Sequence, residues 1–426
     1  MKRIVMKKIN LLLSTALIST LYAAGYKIPE QSIKSVALSA AYIAGADEAD
    51  TTYFNPANMS FIDDGSKSEL AFTYIHLPKV KFNGRVYTSP NSFVSSSSKS
   101  KREDFLLPHF HYISPKISNF RFGLSLVTPA GLSKRWESEP QIYSAKKFLL
   151  RVVEINPTIS YLVNDKLSVG AGVRFIYSEG EVKIERDGLY KQDMEGDTDI
   201  KIGYNLAISY KPYNPITLAI TYRSKVDLKE KGDAKGYISR YLITKNLADY
   251  STKINFNSSA NVTVPLPAAI NLAFALQLNK SIKAEAVFER TFWKSYKELD
   301  FNFNDPLIEA TLGKPKDKNW KDSNSFRFGL THKSSSELTT MAAIVYDQTP
   351  VPSKTLGFEL PDSDAMLFSL GTLYNIKENL KIGVAYLYSH KLKRRIDDAT
   401  QNINKIFGTF SGSGAHLVNL SLNYRF

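Results

Sequence analysis

The chain has 426 residues, a formal net charge of +14 and no cysteine. Without cysteine there is no disulfide frame, no thiolate metal site and no thiol chemistry. Aromatic residues reach 12%, nearly all Tyr and Phe, while hydrophobic residues total only 43%. Such a chain is too polar for a bundle of membrane helices, yet rich in the residues that strands and membrane girdles use.

In chain order, the first segment reads as a leader. Lys2, Arg3, Lys7 and Lys8 precede an apolar run over residues 9–21, and small residues follow at Ala23 and Ala24. That is the pattern of a secretory signal peptide over residues 1–23. Its apolar run falls short of the ~20 residues a spanning helix needs. Removing its four basic residues takes the formal net charge from +14 to +10. An exported basic chain points away from nucleic acid and toward anionic partners, such as lipopolysaccharide phosphates or a carboxylate ligand.

Residues 24–67 follow no strand period. Ser39-Ala40-Ala41 and Ala44-Gly45-Ala46 are dense in small residues, and Asp47-Glu48-Ala49-Asp50 follows. Tyr42, Tyr53, Phe54 and Phe61 argue against a disordered tail, because such tails are poor in aromatics. Small residues suit backbone packed closely inside a larger shell, and roughly forty residues can fill a barrel lumen, so this segment is expected to be an internal plug. Asn55-Pro56 within it reads as a tight turn, since proline fixes its own backbone and asparagine tolerates unusual conformations.

From residue 68 onward, segments of about ten residues alternate apolar and polar positions. In the last of them Val418, Leu420, Leu422, Tyr424 and Phe426 share one face, and Leu417, Asn419, Ser421, Asn423 and Arg425 the other. Ending on an aromatic residue is typical of chains handed to the outer-membrane assembly machinery. Short turns near residues 114–119, 164–165, 211–215, 279–280, 334–336 and 375–379 alternate with long polar stretches at 83–104, 131–147, 185–198, 230–261, 302–323, 348–364 and 391–415. Short periplasmic turns and long external loops imply an all-β, antiparallel transmembrane barrel over residues 68–426, with about fourteen strands and the amino-terminal plug in its lumen. The expected setting is the outer membrane of a Gram-negative bacterium, with the barrel a monomer in contact with lipid and lipopolysaccharide.

Two local features stand out. The segment 120–128 runs into Pro129-Ala130-Gly131. Proline removes a ladder donor and glycine weakens pairing, so the third strand either bends inward there or simply ends. His109 and His111 share one strand face, which an exposed girdle explains. No metal, cofactor, phosphate loop or nucleophile elbow is expected.

Four islands in order resemble the FadL family of outer-membrane long-chain fatty acid and hydrocarbon transporters. They are Ala24-Gly25-Tyr26; Gly45-Ala46-Asp47-Glu48-Ala49-Asp50 with Tyr53-Phe54-Asn55-Pro56-Ala57-Asn58; Thr221-Tyr222-Arg223-Ser224-Lys225-Val226; and Tyr346-Asp347-Gln348-Thr349-Pro350-Val351-Pro352 with Leu360-Pro361-Asp362-Ser363-Asp364. The resemblance implies a fourteen-stranded barrel with a hatch, external loops that capture a hydrophobic ligand, an apolar pocket above the hatch and release through a gap in the wall. No bond chemistry is implied. It also implies ligand contacts at Tyr26, at Arg186 within Lys183-Ile184-Glu185-Arg186, and at Lys321 within Trp320-Lys321-Asp322. Asn55 and Pro56 fall in its hatch, and Pro129 and Gly131 at its wall opening. Long-chain fatty acids are the expected cargo. A hydrocarbon channel, a general porin, a surface adhesin and an outer-membrane lipase are the rivals.

Overall fold

The computed structural model describes residues 25–89 and 91–426; the signal segment 1–23 lies outside them. Among the described residues, fourteen antiparallel strands close into a barrel. They are β1 (Lys67–Leu77), β2 (Glu103–Ile113), β3 (Phe120–Arg135), β4 (Lys147–Asn164), β5 (Leu167–Arg186), β6 (Lys201–Tyr210), β7 (Ile216–Arg223), β8 (Ala269–Gln277), β9 (Ile282–Thr291), β10 (Ser323–Lys333), β11 (Leu338–Asp347), β12 (Ala365–Lys377), β13 (Leu380–Lys391) and β14 (Gly414–Arg425). Closure comes from β1 pairing with β14, in a ladder running from Lys67↔Arg425 to His76↔His416.

The alternation read from the sequence becomes the two faces of this wall. Phe72, Tyr74, Leu206, Ile208, Leu420 and Leu422 are exposed outward, where lipid covers them. Their neighbours Thr73, Asn205, Ala207, Asn419 and Ser421 are buried inward. Closure removes the sheet's two free edges, so nearly all of the wall's backbone groups find partners without water.

Two expectations need correction. Several stretches read as polar connections are largely strand. Tyr190–Asp197, Val226–Ser239, Lys253–Leu266 and Phe301–Phe303 continue the wall upward beside β5. Lys81–Ser89, Ser92–Lys99, Arg394–Ile396 and Ile406–Ser411 make a separate four-stranded sheet. Asp227, Lys229, Lys231, Asp233 and Lys235 are exposed along the outer face of one extension. A charged outer face belongs in water, so these strands stand above the lipid. His109 and His111 face the lumen, not a girdle. His111 Nε2 lies 2.9 Å from the Gln31 carbonyl oxygen, and His109 Nε2 lies 3.0 Å from Thr73 Oγ1.

Residues 25–62 are almost wholly buried inside the wall. This hatch has only short helices, at Ile33–Ala37, Thr51–Phe54 and Pro56–Phe61. Most of its backbone therefore lacks regular partners, and the barrel supplies them. The Glu285 carboxylate accepts the amides of Ile43 (2.6 Å), Ala44 (2.6 Å) and Gly45 (3.0 Å). Any side chain at Gly45 would collide with that carboxylate. Glu69 accepts the Ile33 amide at 3.0 Å. Arg121 donates to the carbonyls of Met59, Ile62 and Asp63 at 3.0, 2.7 and 3.0 Å. Arg327 donates to the Ser39 carbonyl at 2.9 Å. Within the hatch, Asn55 Nδ2 donates to Ile43 O and to Ser209 Oγ on β6, and Pro56 opens the third helix.

Replacing Glu285 with Ala removes one carboxylate and orphans three buried amides, a local loss on the order of 3 kcal/mol. Planar-bilayer recordings of Glu285→Ala are expected to show ion conductance that the wild type lacks. A silent variant would mean that the hatch is held without Glu285.

Candidate functional site

The site is built where the hatch's first residues meet a break in the wall. β2 and β3 pair only from Ile113↔Gly123 to Phe110↔Leu126. Beyond Leu126 the third strand leaves its neighbour. Its pairing with β4 slips between Val127 and Ala130, around Pro129. The groups so released are taken up from inside. The Ile28 amide donates to Pro129 O and the Gly131 amide to Tyr26 O, both at 2.9 Å. Gln31 brackets Thr128, accepting its amide and donating to its carbonyl, both at 2.8 Å. Higher up, Arg135 and Ser133 bind Glu103 of β2 and close the break from above. Pro129 and Gly131 thus flank a bounded interruption in the ladder, and proline's missing donor is one cause of it.

Residues 26–28 divide the interior in two. Above them lies a cavity of about 560 Å³ lined mainly by apolar side chains, among them Leu132, Phe148, Leu150, Val264, Leu299 and Phe301. Tyr26 is part of that lining. Below lies a cavity of about 750 Å³ with a mixed lining, in which Lys27, Arg174, Arg223 and Glu289 stand among Ile28, Ile43, Phe54, Pro129 and Leu266. Tyr26 is held by an aromatic cage, with ring centroids 4.7 Å from Trp293, 5.7 Å from Trp320 and 6.1 Å from Tyr296. Its hydroxyl donates to Pro265 O. Gly25 has φ +76°, and a Cβ there would stand 2.7 Å from Trp293 and 2.9 Å from Trp320, so the chain can pass only as glycine.

An outer cavity of about 1000 Å³ adjoins the upper one, sharing Phe148, Val182, Leu299, Phe301, Lys318 and Glu359. Lys318 and Glu359 form a buried ion pair between them. Burial alone would raise the Glu359 carboxyl, but the Lys318 ammonium and its hydrogen bond hold it below the usual range. Lys314 and Lys316 line the outer cavity. Arg186 pairs across from Tyr190, another lining residue, and its guanidinium lies 5.1 Å from the Tyr143 ring. Lys321 is exposed and lines neither cavity; its backbone amide binds Pro350 O at 2.9 Å. The structure therefore puts Tyr26 in the lining of the upper cavity and Arg186 beside a lining residue of the outer one, whereas Lys321 lines neither. Sequence reasoning missed Lys314, Lys316 and Lys318, although their every-other-residue spacing puts three ammoniums on one side of an extended segment.

An antiparallel barrel with a lipid-facing apolar belt, a charged lumen and a plug defines an outer-membrane protein of the transport class. The chain matches the outer membrane protein transport family (OMPP1/FadL/TodX) over residues 14–426, and it belongs to that family. The family comprises outer-membrane transporters of hydrophobic molecules, and this chain is a Gram-negative outer-membrane protein. It is 25% identical to the long-chain fatty acid transport protein of Escherichia coli O6:H1, over 98% of both chains. It is 24% identical to outer membrane protein P1 of Haemophilus influenzae, over 99% of this chain and all of that one. A Pseudomonas aeruginosa FadL homologue shares the fold with a TM-score of 0.81 at 20% identity, covering 95% of this chain and 100% of its own. The Pseudomonas putida toluene transporter TodX shares it at 0.67 and 17%, covering 96% and 100%.

Two of the chain's three tryptophans, Trp293 and Trp320, touch Tyr26. Tyr26→Ala is expected to open that cage to water and red-shift tryptophan emission, whereas Tyr26→Phe keeps it in place. Identical spectra for wild type and Tyr26→Ala would contradict the packing described.

Proposed function

We propose that the protein carries long-chain fatty acids passively into the outer membrane: the outer chamber captures them, the upper cavity holds the tail, and the break beside Pro129 and Gly131 releases them sideways. The observation that carries this reading is a pair of lysines, Lys314 and Lys316, lining the outer cavity outside any ion pair, with Arg186 beside its lining residue Tyr190. Among the described residues, Arg186, Lys314 and Lys316 form no ion pair, whereas Lys318 inside is already matched by Glu359. A long acyl chain gains about 10 kcal/mol when its methylenes leave water, at ~0.8 kcal/mol each. Its carboxylate loses several kcal/mol if it follows unpaired, so it stays at the cations.

The same neutralised Lys318 favours one second reading, an uncharged hydrocarbon cargo, for which the outer cations are dispensable. The double variant Arg186→Gln/Lys316→Gln separates the two. Fatty acid affinity is expected to fall at least tenfold, with binding of a long alkane unchanged. Unaltered fatty acid affinity would reject the acid reading.

Glu230 adds a pH dependence. It lines the upper cavity on a strand above the lipid. Burial pushes its carboxyl up to about 7, Asp197 and Glu179 push in the same direction, and the hydrogen bond from Ser178 at 3.0 Å opposes them. A carboxyl at about 7 is mostly neutral at pH 6 and mostly ionised at pH 8, when its charge repels an anionic ligand. Fatty acid affinity is therefore expected to weaken several-fold between pH 6 and pH 8, and to stay level in Glu230→Gln. An equal slope in both proteins would remove Glu230 from the account.

A further inference from the structure

The wall has a second interruption, away from Pro129. Tyr190–Asp197 and β6 run down the same side of β5, with Asp197 opposite Glu179 and Lys201 opposite Ile176. Positions 197 to 201 are four steps and 176 to 179 only three, so the strand bulges over residues 198–200. Its other neighbour breaks at the same height, between Arg223 at the end of β7 and Val226 at the start of Val226–Ser239. These two neighbours pair below the interruption at Arg223↔Asn205 and above it at Lys231↔Asp197. Just above Arg223 the Ser224 amide donates to Tyr204 O, and Ser224 Oγ accepts the Tyr204 amide, both at 2.9 Å. Among the described residues, no backbone hydrogen bond then crosses from 225–230 to 198–203. Six residues at ~3.3 Å each make a seam of about 20 Å.

Side chains close this seam where backbone bonds do not. Val226 and Leu228 are buried behind it. Val226 leans over Gly203, for a Cβ on that glycine would stand 2.7 Å from Val226 Cγ2. Dispersion contacts of this kind are individually weak, so the seam opens without breaking a ladder. Behind it lies the upper cavity. Leu228 and Glu230 stand opposite Val264 and Val262, and Glu230, Val262 and Val264 all line that cavity.

The seam's height sets what meets it from outside. A spanning strand takes ~9–11 tilted residues. Counted up from Tyr210 at the foot of β6, Ile202 is the ninth residue, so the foot of the seam stands in the outer part of the lipid belt. On this side Ile200 and Ile202 are 66% and 68% exposed. The opposite side presents Lys225, Asp227 and Lys229 to the exterior, with Lys225 paired to Asp227 at 2.9 Å.

We propose that this seam is an entrance, through which single-chain hydrophobic molecules already dissolved in the outer leaflet reach the upper cavity. Its isoleucine side continues the lipid belt and guides a hydrocarbon tail. Its lysine side stands at the water boundary, where an anionic head group stays while the tail turns inward. Such molecules bypass the outer chamber, which serves cargo arriving from water. The entrance goes beyond the proposed cargo and does not require it, because an uncharged chain uses the same opening.

With no native cysteine, the seam can be pinned. The 2.7 Å between a Cβ at position 203 and Val226 Cγ2 suits a disulfide in Gly203→Cys/Val226→Cys, since Val226 Cγ2 lies about where the sulfur would be. The protein, shown to fold by heat-modifiable gel mobility, is placed in phospholipid vesicles. A bromostearic acid or a bromoalkane is then supplied either from water on albumin or from vesicles already loaded with it. Quenching of Trp320, which lines the upper cavity, reports arrival. Oxidation of the pair is expected to slow arrival from the loaded bilayer at least tenfold, leave arrival from water within twofold, and be reversed by reduction. An unchanged rate from the bilayer, or equal slowing in both arms, would overturn the entrance. Should the pair fail to fold, Leu228→Ala decides: arrival from the bilayer alone is expected to quicken several-fold, and no change would overturn it. Seam-dependent entry of the bromoalkane without any binding of the acid would remove the fatty acid reading and leave the entrance standing. Acid that binds and arrives regardless of the seam would do the reverse.

Discussion

A plug without a sheet of its own must have its backbone satisfied by the wall around it, and this requirement organises the molecule. Buried amides and carbonyls without partners cost free energy comparable to a lost hydrogen bond. The wall meets that demand with long charged side chains projecting inward: Glu69 and Glu285 accept hatch amides, while Arg121 and Arg327 cap hatch carbonyls. Hence the lumen of a protein that handles apolar molecules is lined with charge. The charges are directed at the hatch and are largely consumed by it.

The apolar space lies above the hatch, where the wall rises out of the lipid and its inner face can be hydrophobic. The partition between the two regions is the stretch Tyr26-Lys27-Ile28, hydrogen-bonded to the segment of β3 that has left β2. One stretch of chain therefore floors the upper chamber through Tyr26, roofs the lower one through Lys27 and Ile28, and occupies the groups freed at the wall break. This coupling links ligand occupancy to the wall in the proposed route, because a ligand that displaces Tyr26 also disturbs the pairing at Pro129 and Gly131.

The barrel was legible in the sequence because lipid permits only one pattern. Leu420, Leu422 and Tyr424 must alternate with Asn419, Ser421 and Asn423, and they do. Where the wall leaves the membrane that constraint lapses. Asp227, Lys229 and Lys231 outside, with Gly232 and Ala234 inside, read as polar loop although the backbone is strand. His109 and His111 were placed on the wrong face because an alternating strand fixes that two residues share a side, not which side it is. Arg186 was singled out by a motif; the alternation of Lys314, Lys316 and Lys318 showed in the sequence only that they share a side, and the fold alone brings them against Phe148 and Val182.

The central claim is that the hatch stays fixed while cargo leaves through the wall. The absence of native cysteine allows a clean test. A Cβ at Gly329 of β10 would stand 3.0 Å from the Ala41 Cβ of the hatch, so a cysteine pair at positions 41 and 329 places a disulfide between plug and barrel with modest adjustment. Uptake of a labelled long-chain fatty acid by cells carrying the oxidised pair should proceed at the wild-type rate. Uptake that stops on oxidation and returns on reduction would show that the hatch must move aside, and would contradict the account.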